Sequence, residues 1–210
     1  MGHVVLLGDS IFDNAAYVTG GPSVIEHLRR SLPTGWEATL AAVDGAVVSD
    51  VSGQLDRVPG DATHLIVSAG GNDALRARGT ILSEPASSIV EALSRLESMR
   101  GGFLAEYRRM LDRVRALRKP VAVCSIYDAI PGLGPAERAG LCLFNDVILR
   151  EAARAYLPVI DLRLICDEPG DYAAVSPIEP SDRGGGKIAR QVAAIVTSLD
   201  FGRAGCRIVS

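Results

Sequence analysis

Short apolar runs alternate with longer amphipathic ones along this chain, and polar turns separate them. Residues 4–7 read as a buried strand that ends at Gly8-Asp9-Ser10. Residues 23–32 follow as a helix with Ser23 at its N-cap. Residues 37–43, 64–68, 121–126 and 159–162 predict four more strands, the first of these ending at Asp44-Gly45 and the second at Gly70-Gly71-Asn72-Asp73. A short helix is expected over 49–58. A longer one is expected over 102–118, with Phe103, Tyr107, Met110, Leu111, Val114 and Leu117 on one stripe and Pro120 as its stop. Residues 135–156 and 186–199 complete the helices. The polar segment 80–88 reads as a surface excursion, and the Ser/Pro/Gly-rich segment 169–186 as a long loop before the last helix.

Strands that are apolar throughout, each followed by a helix, imply a parallel sheet covered on both faces. The expected fold is therefore α/β: a three-layer α/β/α domain around a central, mostly parallel five-stranded sheet, occupying residues 1–210 as a single unit. No repeat, low-complexity tract or linker interrupts it. In such sheets the ligand crevice lies beyond the carboxyl ends of the strands. The turns at Ser10, Gly45 and Asn72 all follow strands, so all three should gather there.

Composition narrows the function. The chain is 48% hydrophobic and 22% charged, with a formal net charge of −3, which suits a globular protein with a full core. It has no long basic run, so nucleic acid is not expected as a partner. No apolar stretch approaches the roughly 20 residues needed to span a bilayer, so no membrane partner is expected. Residues 3–7 are too short for the apolar region of a secretory signal, which points to a cytoplasmic protein. Cys124, Cys142, Cys166 and Cys206 match neither a zinc pattern nor a redox pair, and are read as reduced structural thiols.

Ser10 is the first candidate for chemistry. A serine on a sharp turn at a strand end is well placed as an exposed nucleophile, and its backbone N–H can point at the same substrate oxygen. Capping of the next helix is the plain alternative. Gly45 and Asn72 favour the first role. Acyl transfer needs donors aimed at a developing oxyanion; a glycine N–H approaches closely, and an asparagine amide donates without adding charge.

These residues resemble the nucleophile block (Gly8-Asp9-Ser10, extended by Phe12-Asp13-Asn14), the second-block glycine (Gly45) and the third block (Gly70-Gly71-Asn72-Asp73) of the SGNH or GDSL-type hydrolases. The resemblance runs from Ser10 to the last helix. It implies a flavodoxin-like SGNH hydrolase fold, Ser10 as nucleophile, and an oxyanion hole made by the Ser10 N–H, the Gly45 N–H and the Asn72 amide. It implies no cofactor and no metal. The fourth block departs from the family's Asp-x-x-His pattern: Ser176 stands at the aspartate position and Glu179 at the histidine position. The chain's three histidines are His3, His27 and His64. His3 and His64 start strands, away from the crevice, and His27 lies within a helix.

A carboxylate can serve as general base if burial raises its pKa towards neutrality. The sequence thus supports a serine esterase acting on a small acyl or acetyl ester through a Ser10–Glu179 dyad. Asp9, Asp13 and Asp73 are candidate supporting carboxyls, although turn stabilisation is the simpler role for Asp13 and Asp73. The alternatives are a weak or inactive relative that binds a ligand in the crevice, and acyl transfer to an alcohol instead of water.

Overall fold

The computed structural model describes residues 1–81, 83–202 and 206–209. Six parallel strands form the central sheet: β1 (His3–Gly8), β2 (Glu37–Leu40), β3 (His64–Ser68), β4 (Val121–Cys124), β5 (Val159–Ile160) and a last, two-residue strand at Ile208–Val209. The five expected strands are present, and the sixth corrects the expected count. It adds to the open edge of β5 after the last helix, where a two-residue pairing leaves no periodicity to read.

In spatial order the strands run β2, β1, β3, β4, β5 and then the terminal strand. The chain moves outward in one direction from β1 to β2 and in the other from β1 to β3. That reversal marks the switch point where doubly wound sheets open a crevice. Ser10 lies just past β1 and Asn72 just past β3, on the two sides of it.

The helices are α1 (Val24–Ser31), α2 (Val51–Gln54), α3 (Gly71–Ile81), α4 (Ile89–Ala116), α5 (Pro135–Arg154), α6 (Leu162–Ile165) and α7 (Asp182–Ser198). Alternation along the strands divides the core between the two faces of the sheet. Val4, Leu6 and Ile66 pack with α1 and α7 residues such as Leu28, Ile188 and Val192. Val5, Leu7, Leu65 and Val67 pack with α4 and α5 residues such as Tyr107, Val114, Phe144 and Ile148.

Three expectations change in extent. α4 begins at Ile89, well before residue 102, and is capped by Ser88, whose hydroxyl accepts from the Glu91 N–H at 3.1 Å. The expected excursion over 80–88 loses its first two residues to α3, which runs to Ile81; Leu82 lies outside the described residues. The expected loop over 169–186 instead holds an antiparallel hairpin of β6 (Tyr172–Ala173) and β7 (Ser176–Pro180), followed directly by α7. α7 absorbs Gly184, Gly185 and Gly186 because it packs closely. A Cβ on Gly184 would lie 2.1 Å from the Asp171 carbonyl oxygen. Cys124 and Cys166 are buried free thiols, Cys142 and Cys206 exposed ones. Among the described residues, no helix is long and apolar enough to cross a membrane.

Candidate active site

The turn that carries Ser10 is dictated by close backbone contact. Gly8 ends β1 with φ +126°, and a Cβ there would lie 1.7 Å from the Ser68 carbonyl oxygen. That oxygen accepts from the Asp9 N–H at 3.1 Å. Gln54, on α2, brackets Gly8 from the other side: its amide donates to the Gly8 carbonyl and its oxygen accepts from the Gly8 N–H, both at 2.7 Å. The next residues are thus thrown sharply out of the sheet, and Ser10 lands at the head of a cleft.

That cleft is lined by Asp9, Ser10, Asn72 and Glu179 together with apolar side chains of α3, α4 and α5. Glu179 comes from β7. Two buried groups fix its strand. Tyr127 donates its hydroxyl to the Ile178 carbonyl at 2.6 Å, and Asn14 donates its amide to the Pro180 carbonyl at 3.1 Å. Asn14 also accepts from the Val24 N–H at the start of α1. Nothing in the sequence pairs Tyr127, Asn14 or Gln54 with these distant partners, and no local pattern would have found them.

Gly45 occupies a different position. It sits at φ +77° on the exposed loop after β2, outside the residues that line the Ser10 cleft and on a neighbouring depression with Asp44, Ala46 and Arg57. Three bonds hold this loop against the site. Asp13 accepts from the Asp44 N–H at 3.0 Å, Asp73 accepts from the Val48 N–H at 3.0 Å, and the Asn72 amide donates to the Ala46 carbonyl at 3.0 Å. Asp13 and Asp73 therefore fasten the Gly45 loop, where turn stabilisation within their own segments was the simpler expectation.

The electrostatics are dominated by buried acids. Glu179 is 5% exposed. Burial pushes its carboxyl up to about 7; the Ser10 hydroxyl partly offsets this, and the Asp44 charge adds to it. Ser10 and Glu179 make no regular hydrogen bond with each other, and Glu179 Oε2 has no partner among the described residues. Catalytic contacts of this kind commonly tighten only when substrate is bound. Asp9 is pushed up to about 8, first by burial and then by the charges of Glu179 and Asp73, against the Ile11 N–H that bonds its carboxyl at 3.2 Å. Asp73 is also raised by burial. At neutral pH, Asp9 is mostly neutral while Glu179 is near its midpoint.

The histidines stay out of the cleft lining. His3 and His64 open β1 and β3, and His27 is bonded to Asp182 at 2.6 Å between α1 and α7. A carboxyl, not an imidazole, is therefore the ionisable group that faces Ser10.

Comparison with known proteins agrees with this architecture. The chain aligns structurally with an extracellular lipase from Streptomyces rimosus, at 21% identity and a TM-score of 0.66 over 95% of this chain and 100% of that one. It aligns with a lipase from a goat rumen metagenome at 18% identity and a TM-score of 0.73, covering 92% and 97%. An acetyl xylan esterase variant from Geobacillus stearothermophilus follows at 16% identity and 0.64, covering 93% of each chain. At these identities the likeness shows the fold. No curated protein matches the sequence. The GDSL-like lipase/acylhydrolase family model, however, matches residues 6–185, from the strand before Ser10 to the first turn of α7. The chain therefore belongs to the GDSL-like lipase/acylhydrolase family, whose chemistry is ester hydrolysis through a serine.

Proposed function

We propose that the chain hydrolyses an acyl ester through a covalent acyl-enzyme, with Ser10 as nucleophile and Glu179 as general base. The observation behind this reading is the buried Glu179 carboxyl beside the Ser10 hydroxyl, with no histidine in the cleft. In the first step the Ser10 oxygen attacks the ester carbonyl while its proton passes to Glu179. Collapse of the tetrahedral intermediate returns that proton to the departing alkoxide, which leaves as an alcohol. A water molecule then repeats the sequence on the acyl-enzyme and releases the acid. The Ser10 N–H and the free N–H of the Asn72 amide are the oxyanion donors nearest at hand. Gly45 joins them if substrate draws its loop inward.

The cleft also bears on the acyl group. Ala74, Ala77 and Ile81 line it at helical spacing along α3, a wall about 10 Å long at 1.5 Å per residue. Leu96 and Met99 of α4 and Leu141 and Phe144 of α5 face the same space. An acetyl group would leave nearly all of this apolar surface uncovered. The cleft supports an acyl chain longer than the small acyl or acetyl group expected from sequence.

Labelling with a fluorophosphonate tests the reading, because only an activated serine attacks such reagents readily. The expected result is one adduct, located at Ser10 by mass spectrometry, absent in Ser10→Ala and strongly slowed in Glu179→Gln. Wild-type protein that takes no label where an ordinary esterase does would return the site to the alternative, a crevice that binds without catalysing.

A further inference from the structure

At the amino ends of the strands, about 20 Å from Ser10 along β1 at ~3.3 Å per residue, a second cluster of side chains has no part in ester hydrolysis. His3 and Glu37 are register partners at the starts of β1 and β2. Partners in register on neighbouring strands project to the same face. Asp61, on the turn before β3, closes the group from the other side of β1. That turn is locked to β1 through Thr63, whose N–H donates to the His3 carbonyl at 2.8 Å and whose hydroxyl accepts from the His3 N–H at 2.7 Å. One ligand atom from each of His3, Glu37 and Asp61 lies within 4.8 Å of the other two.

The state of His3 is the second, independent observation. Its side chain is buried, with the residue 7% exposed. Nε2 lies 2.8 Å from the Thr39 hydroxyl on β2. Among the described residues Nδ1 has no hydrogen-bond partner; Asp61 Oδ2, 3.2 Å away, is within ion-pair distance but makes no regular hydrogen bond with it. A buried ring nitrogen without a hydrogen bond, beside one carboxylate and in a cluster with a second, is costly unless a cation sits between them.

We propose that His3 Nδ1, Glu37 and Asp61 form a binding site for a divalent transition-metal ion, of which zinc is the representative. The donor set is one imidazole and two carboxylates, which suits zinc and its neighbours better than calcium or magnesium, whose ligands are oxygens. The Thr39 hydroxyl, 2.8 Å from Nε2, is placed to accept from Nε2–H in the tautomer that leaves Nδ1 bare, as supporting partners of metal-bound histidines do. Zinc–ligand distances of about 2.0–2.2 Å place two ligands of one ion roughly 3.5–4 Å apart. The exposed Glu37 and Asp61 side chains reach that spacing by rotating inward by less than about an ångström each. The bound ion would tie β2, the edge strand of the sheet, to β1 and to the turn before β3. Its role is structural, and ester hydrolysis proceeds without it.

The rival is a simple His3–Asp61 ion pair, and zinc titration separates the two. Chelator-treated wild-type protein is titrated with zinc chloride by calorimetry, and its thermal midpoint is measured with and without zinc. The expected result is one site per chain. At zinc a hundredfold above its dissociation constant, the midpoint should rise by roughly 5–10 °C for a domain of this size. Asp61→Asn and Glu37→Gln, both exposed positions that fold without difficulty, should each weaken binding at least tenfold. Ester hydrolysis should be the same with and without zinc. Absence of a single site in wild type would overturn the proposal. So would variants that bind as tightly as wild type, since the ion would then sit elsewhere, for instance on the exposed Cys142 or Cys206.

Discussion

Asn72 donates a side-chain N–H to the Ala46 carbonyl at 3.0 Å, so the amide that lines the Ser10 cleft is anchored to the loop that carries Gly45. A primary amide has two N–H groups. One holds the loop, and the other is the donor proposed for the oxyanion. Asn72→Ala removes both functions and should lower kcat by roughly 10²–10³-fold with little change in KM, because the lost donor acts on the transition state. Steady-state kinetics on an aryl ester checks this. An unchanged kcat would leave Asn72 with the anchoring role alone.

Asp13 offers a cleaner view of the same loop, because its carboxylate binds the Asp44 N–H and its side chain is not among those lining the Ser10 cleft. Asp13→Ala should reduce kcat about fivefold, the equivalent of one hydrogen bond worth about 1 kcal/mol. Asp13→Asn keeps an acceptor oxygen and should restore most of the rate. Equal loss in both variants would mean that charge, not loop position, is what matters there.

Gly8→Ala should be among the most damaging single changes in the chain. The φ of +126° disfavours any side chain, and the added Cβ would meet the Ser68 carbonyl oxygen at 1.7 Å. A cost above ~3 kcal/mol is expected, read as a large fall in the thermal midpoint and loss of the Ser10 turn. Near-wild-type stability would show that β1 and β3 can separate at this end without consequence.

These sites also show what the sequence could disclose. The strands were legible because fully apolar runs lie between helical segments, and the shared cleft of Ser10 and Asn72 followed from their places just past β1 and β3, whereas Glu179 was a candidate only through the resemblance of residues 176–184 to the family's fourth block. α3 was not anticipated. It begins at Gly71-Asn72-Asp73, which reads as a turn, and it buries no residue fully, so no apolar stripe marks it. β7 carries Pro177 and Pro180, which argue against a strand in sequence yet are tolerated in a two-stranded ribbon. Of the three glycines at 184–186, Gly184 lets α7 approach the Asp171 backbone, while Gly185 and Gly186 face Val24 and His27 of α1. Gln54, Asn14 and Tyr127 act on partners 46 to 166 residues away, a relation that only the folded chain displays.

Asp9 should make the protein less stable as pH rises. Its folded pKa of about 8 lies above the ordinary value of 3.8, so between those limits the native state holds a proton that the unfolded chain has lost. Stability then falls with pH across roughly pH 4 to 8, by up to about 1.4 kcal/mol per unit, and levels off above. Glu179 adds to the same slope between about 4.5 and 7. Asp9→Asn keeps an oxygen for the Ile11 N–H without the ionisation. It should flatten the dependence of the thermal midpoint on pH and leave the variant more stable than wild type at pH 8. A variant with the wild-type slope would place the responsible proton elsewhere.

Glu179 carries the largest kinetic prediction. A base must be ionised to accept the Ser10 proton, so kcat/KM should rise with pH through the Glu179 pKa, giving an acid limb centred near 7. Asp9 stays neutral over most of that limb, since its own pKa is higher. Asp9→Asn should therefore leave the limb in place, which separates the two carboxyls experimentally. Glu179→Gln preserves shape, cannot ionise, and should lower kcat/KM by about 10²–10⁴-fold with the limb abolished. Because the native state already favours neutral Glu179 at acid pH, the glutamine variant should fold as well as wild type. The measurement is a pH–rate profile from about pH 5 to 9 for wild type, Asp9→Asn and Glu179→Gln on one aryl ester. A glutamine variant that keeps both its rate and its acid limb would remove Glu179 from the mechanism. An acid limb that vanishes in Asp9→Asn but survives in Glu179→Gln would transfer the role of base to Asp9.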